Sequence, residues 1–122
     1  MRVRGIRGAI TVKENTAKDI ITGTKELLQS MVQENALDLD EVASVFFTLS
    51  PDLNAQFPAL AAREIGWRHV PLLCAREIDV PGAASRVIRV LLHVNTDKSQ
   101  KELKHVYLGD AAGLRPDLSV PQ

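Results

Sequence analysis

RVIRVLLHVN, Arg86 to Asn95, decides the fold. Side chains alternate across a strand, so Ile88, Val90, Leu92 and Val94 share one face, and all four are aliphatic. That face predicts a core strand. The other face carries Val87, Arg89, Leu91, His93 and Asn95, so it is only partly apolar. A cation between two aliphatic residues is costly to bury without a partner. Arg89 is therefore either one half of a structural ion pair, or on an exposed face, or a guanidinium turned toward a ligand at a subunit boundary.

Working outward, Val3 to Val12 reads as a second strand, weakened by Gly5 and Gly8. Arg7 shares a face there with Val3, Gly5, Ala9 and Thr11, and its small neighbours leave room for a ligand to reach the guanidinium. Thr16 starts a helix, with Asp19 as its capping-box partner. Ile20, Ile21, Thr24, Leu27, Leu28, Met31 and Val32 recur at helical spacing, which predicts a helix to about Glu34. Asp38 to Val42 suits a capped turn, Ala43 to Leu49 a strand, and SPDLNAQF, Ser50 to Phe57, a loop. Pro58 opens a second helix over Ala59 to Ile65 that Gly66 ends. Short strands follow at Val70 to Cys74 and His105 to Leu108, with a turn at Pro81 and Gly82. Lys98 to Leu103 suits one helical turn, and the chain ends in a loop-rich tail from Gly109. This order predicts an α+β fold, a mixed β-sheet packed on one long helix. One helix leaves the far sheet face open, so self-association is expected.

With 122 residues the chain suits one domain spanning 1–122. Fifteen basic residues balance fifteen acidic ones, so no net field draws in nucleic acid or an anionic membrane. Any anion site must be a local cluster, and nine of the fifteen cations are Arg, whose planar fork grips carboxylates. One cysteine, Cys74, excludes an internal disulfide framework, and on an apolar strand it reads as packing more readily than as a nucleophile. His69, His93 and His105 lack metal-site spacing, and RGIRGA lacks the features of a phosphate loop, so no metal or nucleotide cofactor is expected. The arginine-interleaved N-terminus has no signal-peptide core and the apolar runs are short, which makes a cytoplasmic location the default. Glu77 follows a strand within LLCAREIDV, Leu72 to Val80, a common site position; a solvated charged edge of Arg76, Glu77 and Asp79 is the plainer alternative.

Six ordered blocks carry more than any single residue. They are RGIRGAITV (Arg4 to Val12), SPDLNAQFPA (Ser50 to Ala59), AREIGW (Ala62 to Trp67), VPLLCAREIDVPG (Val70 to Gly82), VIRVLLHVNTD (Val87 to Asp97), and HVYL with LRPDLS (His105 to Leu108, Leu114 to Ser119). Together they resemble the small monofunctional chorismate mutases of the trimeric type first known from bacilli, and strand content separates the chain from the all-helical type. The resemblance implies a trimeric pseudo-α/β-barrel with the sheets inside. Three active sites are then expected in clefts between subunits, each drawing residues from two chains.

It further implies isomerisation of chorismate to prephenate in aromatic amino-acid (Phe/Tyr) biosynthesis, with no cofactor. By resemblance Arg89 meets the breaking ether oxygen, and Glu77 meets the ring hydroxyl. Arg7 and Tyr107 hold the side-chain carboxylate. Leu73, Cys74, Ala75 and Arg76 line the ring, Phe57 and Ala59 form an apolar wall, and Arg63 and Arg115 add charge at the mouth. The tail, 114–122, is expected to be a flexible lid. Leu60 and Leu73 depart from the lysine and threonine common in the family. A trimeric enamine/imine deaminase and a non-catalytic carboxylate-binding regulatory trimer are the alternatives.

Overall fold

The structure, a computed structural model, describes residues 1–113; Arg115 and the expected lid lie outside them. The decisive strand forms as predicted: β4 runs Val87–Thr96, with Ile88, Val90, Leu92 and Val94 essentially without solvent contact. It pairs antiparallel with β1 (Arg2–Thr11) on one side and with β2 (Val42–Leu49) on the other. β3 (Leu72–Arg76) adds parallel to β2, and β5 (Val106–Leu108) adds parallel to β1. The sheet order is β3-β2-β4-β1-β5, a mixed α+β arrangement as expected. Predicted boundaries shift by a residue or two, β3 most, because its pairing with β2 continues through Arg76.

The long helix, α1 (Ala17–Asn35), begins at Thr16, whose hydroxyl accepts from the Asp19 amide. The reciprocal half of the expected capping box is displaced: Asp19 accepts from the Glu14 amide instead. Ile20, Thr24, Leu27, Leu28 and Met31 are buried as the spacing predicts, while Ile21 and Val32 sit at the flanks. Gly8 on β1 faces this helix. A Cβ there would lie 2.6 Å from the Met31 sulfur, so glycine lets strand and helix approach. Asn35 fastens the helix end, exchanging two hydrogen bonds with the Lys104 backbone just ahead of β5. The second helix, α2 (Ala59–Glu64), packs beside α1 and ends where Gly66 takes φ +94°, a conformation that favours glycine.

Both helices cover the face carrying Ile6, Ile10, Val45, Phe47 and the aliphatic row of β4, which forms one contiguous core. Among the described residues the opposite face has only a small buried patch, Ala9, Val87 and Ala111 with Tyr107 against it. On that face Val3, Phe46, Leu73 and Leu91 stand 57%, 39%, 59% and 38% exposed, an open sheet face as expected.

Candidate active site

Register builds the site on this open face. Arg89 lies opposite Thr48 of β2 and Ala9 of β1, and Arg7 lies opposite Leu91. The chain beyond β3 keeps pairing through the Glu77 amide, which donates to the Leu49 carbonyl at 2.8 Å. That bond holds Glu77 beside Thr48, whose hydroxyl donates to its Oε2. The same oxygen stands 3.8 Å from Arg89 Nε, with the two side chains 36% and 41% exposed. This is an ion pair with room between its members. Parallel pairing of β5 with β1 sets Tyr107 opposite Ala9, and the small alanine leaves space beside Arg89.

Arg7, Arg89, Tyr107 and Glu77 thus line one cleft of about 300 Å³, with Gly8, Ala9, Phe46, Thr48, Val90 and Leu91. The volume lies at the low end for small-molecule sites. Two guanidiniums and a phenol can bind carboxylates there, while the carboxylate offers an acceptor. Arg89 joins the three readings open at the sequence level: it is ion-paired, it is partly exposed, and it faces a ligand-sized cleft.

The remaining expected residues are not brought to this cleft within one chain. Phe57, Cys74, Ala75 and Arg76 line a second cavity of about 570 Å³, which shares no lining residue with the first. Leu73 stands on the open face beside Phe46, whereas Cys74 turns to the other face and packs against the core. Burial pushes the Cys74 thiol up, and a hydrogen bond with the Ala59 backbone only partly opposes this, so it is not a ready thiolate. Ala59 itself packs against the core. Arg63 folds back, its Nη1 donating to the carbonyls of Trp67 and Arg68 at 2.7 and 3.0 Å.

Thr48 is the functional candidate that sequence reasoning passed over. Its signal was available, because alternation in VASVFFTL sets Thr48 on the face opposite Val45 and Phe47. What was missing was the register that pairs it with Arg89. Among the described residues no group of three or more His, Cys, Asp or Glu is positioned to hold a metal ion.

Comparison with known proteins agrees with this geometry. Residues 3–118 match the family model described as chorismate mutase type I. The chorismate mutase AroH of Thermus thermophilus is 54% identical over 121 residues, covering 98% of this chain and 99% of that protein. The AroH chorismate mutase of Bacillus subtilis is 45% identical over 121 residues, covering 98% and 95%. A solved chorismate mutase from Clostridium thermocellum superposes with a TM-score of 0.88 at 50% identity, covering 89% of this chain and 97% of its own. These matches set aside the deaminase alternative, and the chain belongs to the type I chorismate mutase family.

Proposed function

We propose that this chain isomerises chorismate to prephenate by a cofactor-free [3,3] rearrangement, a step toward phenylalanine and tyrosine. The supporting observation is one cleft that holds Arg7, Arg89 and Tyr107 together with the carboxylate of Glu77. Chorismate carries two carboxylates, a ring hydroxyl and an enolpyruvyl ether. Its rearrangement is pericyclic, so it needs neither nucleophile nor general base. The protein has to hold a compact chair-like conformer and stabilise charge as the C–O bond breaks ahead of C–C formation.

Negative charge then grows on the ether oxygen, and the Arg89 guanidinium is the group that meets it. A preorganised donor at such a position is worth about 10²–10³ in rate, and a full charge can exceed that. Arg7, through its planar fork, and Tyr107, through its phenol, hold the side-chain carboxylate. Glu77 accepts a hydrogen bond from the ring hydroxyl, and its charge favours the ring fragment as that becomes relatively positive. A carboxylate in a site for a dianion is the feature that separates catalysis from mere carboxylate binding, which it would oppose.

A homotrimer belongs to this reading. The exposed Val3, Phe46, Leu73 and Leu91 form a face suited to burial between copies. The cavity lined by Phe57, Cys74, Ala75 and Arg76 would supply the ring-lining residues that the Arg89 cleft does not include within one chain. Each site would then join the cleft of one subunit to the wall of its neighbour. Arg7 and Glu77 line one cleft of the same chain, so this reading takes both from one subunit. A cytoplasmic setting accompanies the proposal, and among the described residues no helix is long and apolar enough to cross a membrane.

Purified protein without added cofactor should consume chorismate, followed as loss of diene absorbance with prephenate appearing. Absence of turnover at micromolar enzyme would overturn the assignment, and a solution mass other than that of three chains would overturn the trimer.

A further inference from the structure

Arg86, the residue that leads into β4, holds φ +53°, a left-handed conformation that favours glycine and is unfavourable for arginine. Ala36, the other such residue among those described, is explained as the left-handed cap of α1. Arg86 ends no helix. Strain of this kind persists only where neighbouring groups over-determine it, and here they can be named.

Both carboxylate oxygens of Asp52 accept from the Arg86 amide, at 3.1 and 3.0 Å. Ser50, almost without solvent contact, donates its hydroxyl to Asp52 Oδ1 at 2.6 Å and accepts with the same oxygen from the Val87 amide at 2.9 Å. The Ser50 amide donates to the Val87 carbonyl at 2.9 Å, and the Val12 amide donates to the Arg86 carbonyl at 3.0 Å. The entry to β4 is therefore gripped from the ends of both β2 and β1. Two residues further on stands Arg89, opposite Thr48, with Glu77 beside it. A slip of one residue would turn Arg89 onto the helix-covered face, so register at this entry controls where the cation points.

We infer that Asp52 is a positioning residue: through the Arg86 amide and the Ser50 hydroxyl it sets the register at which Arg89 faces Thr48 and Glu77. Burial raises the Asp52 carboxyl, but the Ser50 hydroxyl and the Arg86 amide outweigh it and leave the pKa below its ordinary value, so the clamp is ionised at neutral pH. Asp52 lines neither cavity and need not touch substrate. The role rests on the chorismate mutase reading of the Arg89 cleft.

The test compares steady-state kinetics of the parent enzyme, Asp52→Ala, and Asp52→Ala combined with Arg86→Gly, well below each melting midpoint. Misplacing a catalytic group without removing it should lower kcat roughly tenfold while KM changes less than about threefold. Glycine takes φ +53° without strain, so the double variant should regain most of the lost kcat. A purely structural role would lower the melting midpoint and leave kcat alone. Folded Asp52→Ala with kcat within twofold of the parent overturns the inference, as does a double variant no faster than the single one. Should Asp52→Ala not fold, Asp52→Asn, which keeps one acceptor oxygen, is read in the same way with a smaller drop. Loss of chorismate turnover in the parent would instead sink the function itself.

Discussion

Replacing Thr48 by valine tests how the cleft keeps its cation and its carboxylate apart. Valine preserves shape and β-branching, so β2 should form unchanged. The hydroxyl that donates to Glu77 Oε2 is lost, and the remaining cationic partner of that oxygen is Arg89 at 3.8 Å. The carboxylate is then free to close on the guanidinium to a charge-assisted distance of about 2.8 Å. At an effective dielectric constant of about 20, shortening the pair from 3.8 to about 2.8 Å gains roughly 1.6 kcal/mol, and in bulk water roughly 0.4. Both side chains are more than one-third exposed, so a value between these limits, about 1 kcal/mol, applies. The tighter pair must be reopened before Arg89 can meet the substrate, so kcat/KM for chorismate should fall about fivefold. Thr48→Ser keeps the hydroxyl and should stay within twofold of the parent. Steady-state kinetics on folded variants decides it. Thr48→Val indistinguishable from the parent, or Thr48→Ser as impaired as Thr48→Val, would refute the spacer role of the hydroxyl.

Arg89→Lys should lower turnover by about 10²–10³, because an ammonium cannot reproduce the guanidinium fork at its position; near-normal turnover would remove Arg89 from its role. Mixed assemblies of Arg7→Ala and Glu77→Ala subunits should recover no activity, since both lesions fall in one cleft of one chain. Mixtures of Arg89→Ala with Phe57→Asp subunits should recover some, and failure in trimers shown to be mixed would argue against a wall supplied by the neighbour. Gly8→Ala places a Cβ 2.6 Å from the Met31 sulfur and 3.0 Å from a Leu27 methyl. Met31 can swing, so the cost should lie toward the low end of overpacking, about 1 kcal/mol, seen as a lower urea midpoint; unchanged stability would show that the helix simply shifts.

The fold was legible wherever periodicity carried it. The aliphatic row of β4, the stripe of α1 and the stops at Gly66 and Gly82 are local signals, and the structure follows them closely. In the sequence Gly8 shows only as a weakness of β1, because its reason lies in Met31 and Leu27 on the following helix. The same limit applies to Asp19. Its capping-box spacing was visible, but whether its carboxylate meets the Thr16 or the Glu14 amide depends on how the chain enters the helix.

The site was less legible, for a related reason. Arg7, Glu77, Arg89 and Tyr107 stand out by charge in unusual surroundings or by resemblance, yet nothing local says that four segments so distant in sequence meet in one chain. Register does that: β1 against β4 sets Arg7 near Leu91, β5 against β1 sets Tyr107 by Ala9, and the run beyond β3 sets Glu77 by Thr48. Alternation alone could place each residue on a face, but not opposite its partner. Phe57, Cys74 and Arg76 illustrate the converse. They belong to the expected site by resemblance and still line a separate cavity here, and in the proposed trimer a second copy of the chain would close that gap. A sheet with one face covered by helices and the other holding exposed apolar side chains beside paired charges presents a face suited to a partner. In the proposed trimer catalysis and assembly would be one requirement: burial of Val3, Phe46, Leu73 and Leu91 between copies would also bring a wall to Arg89.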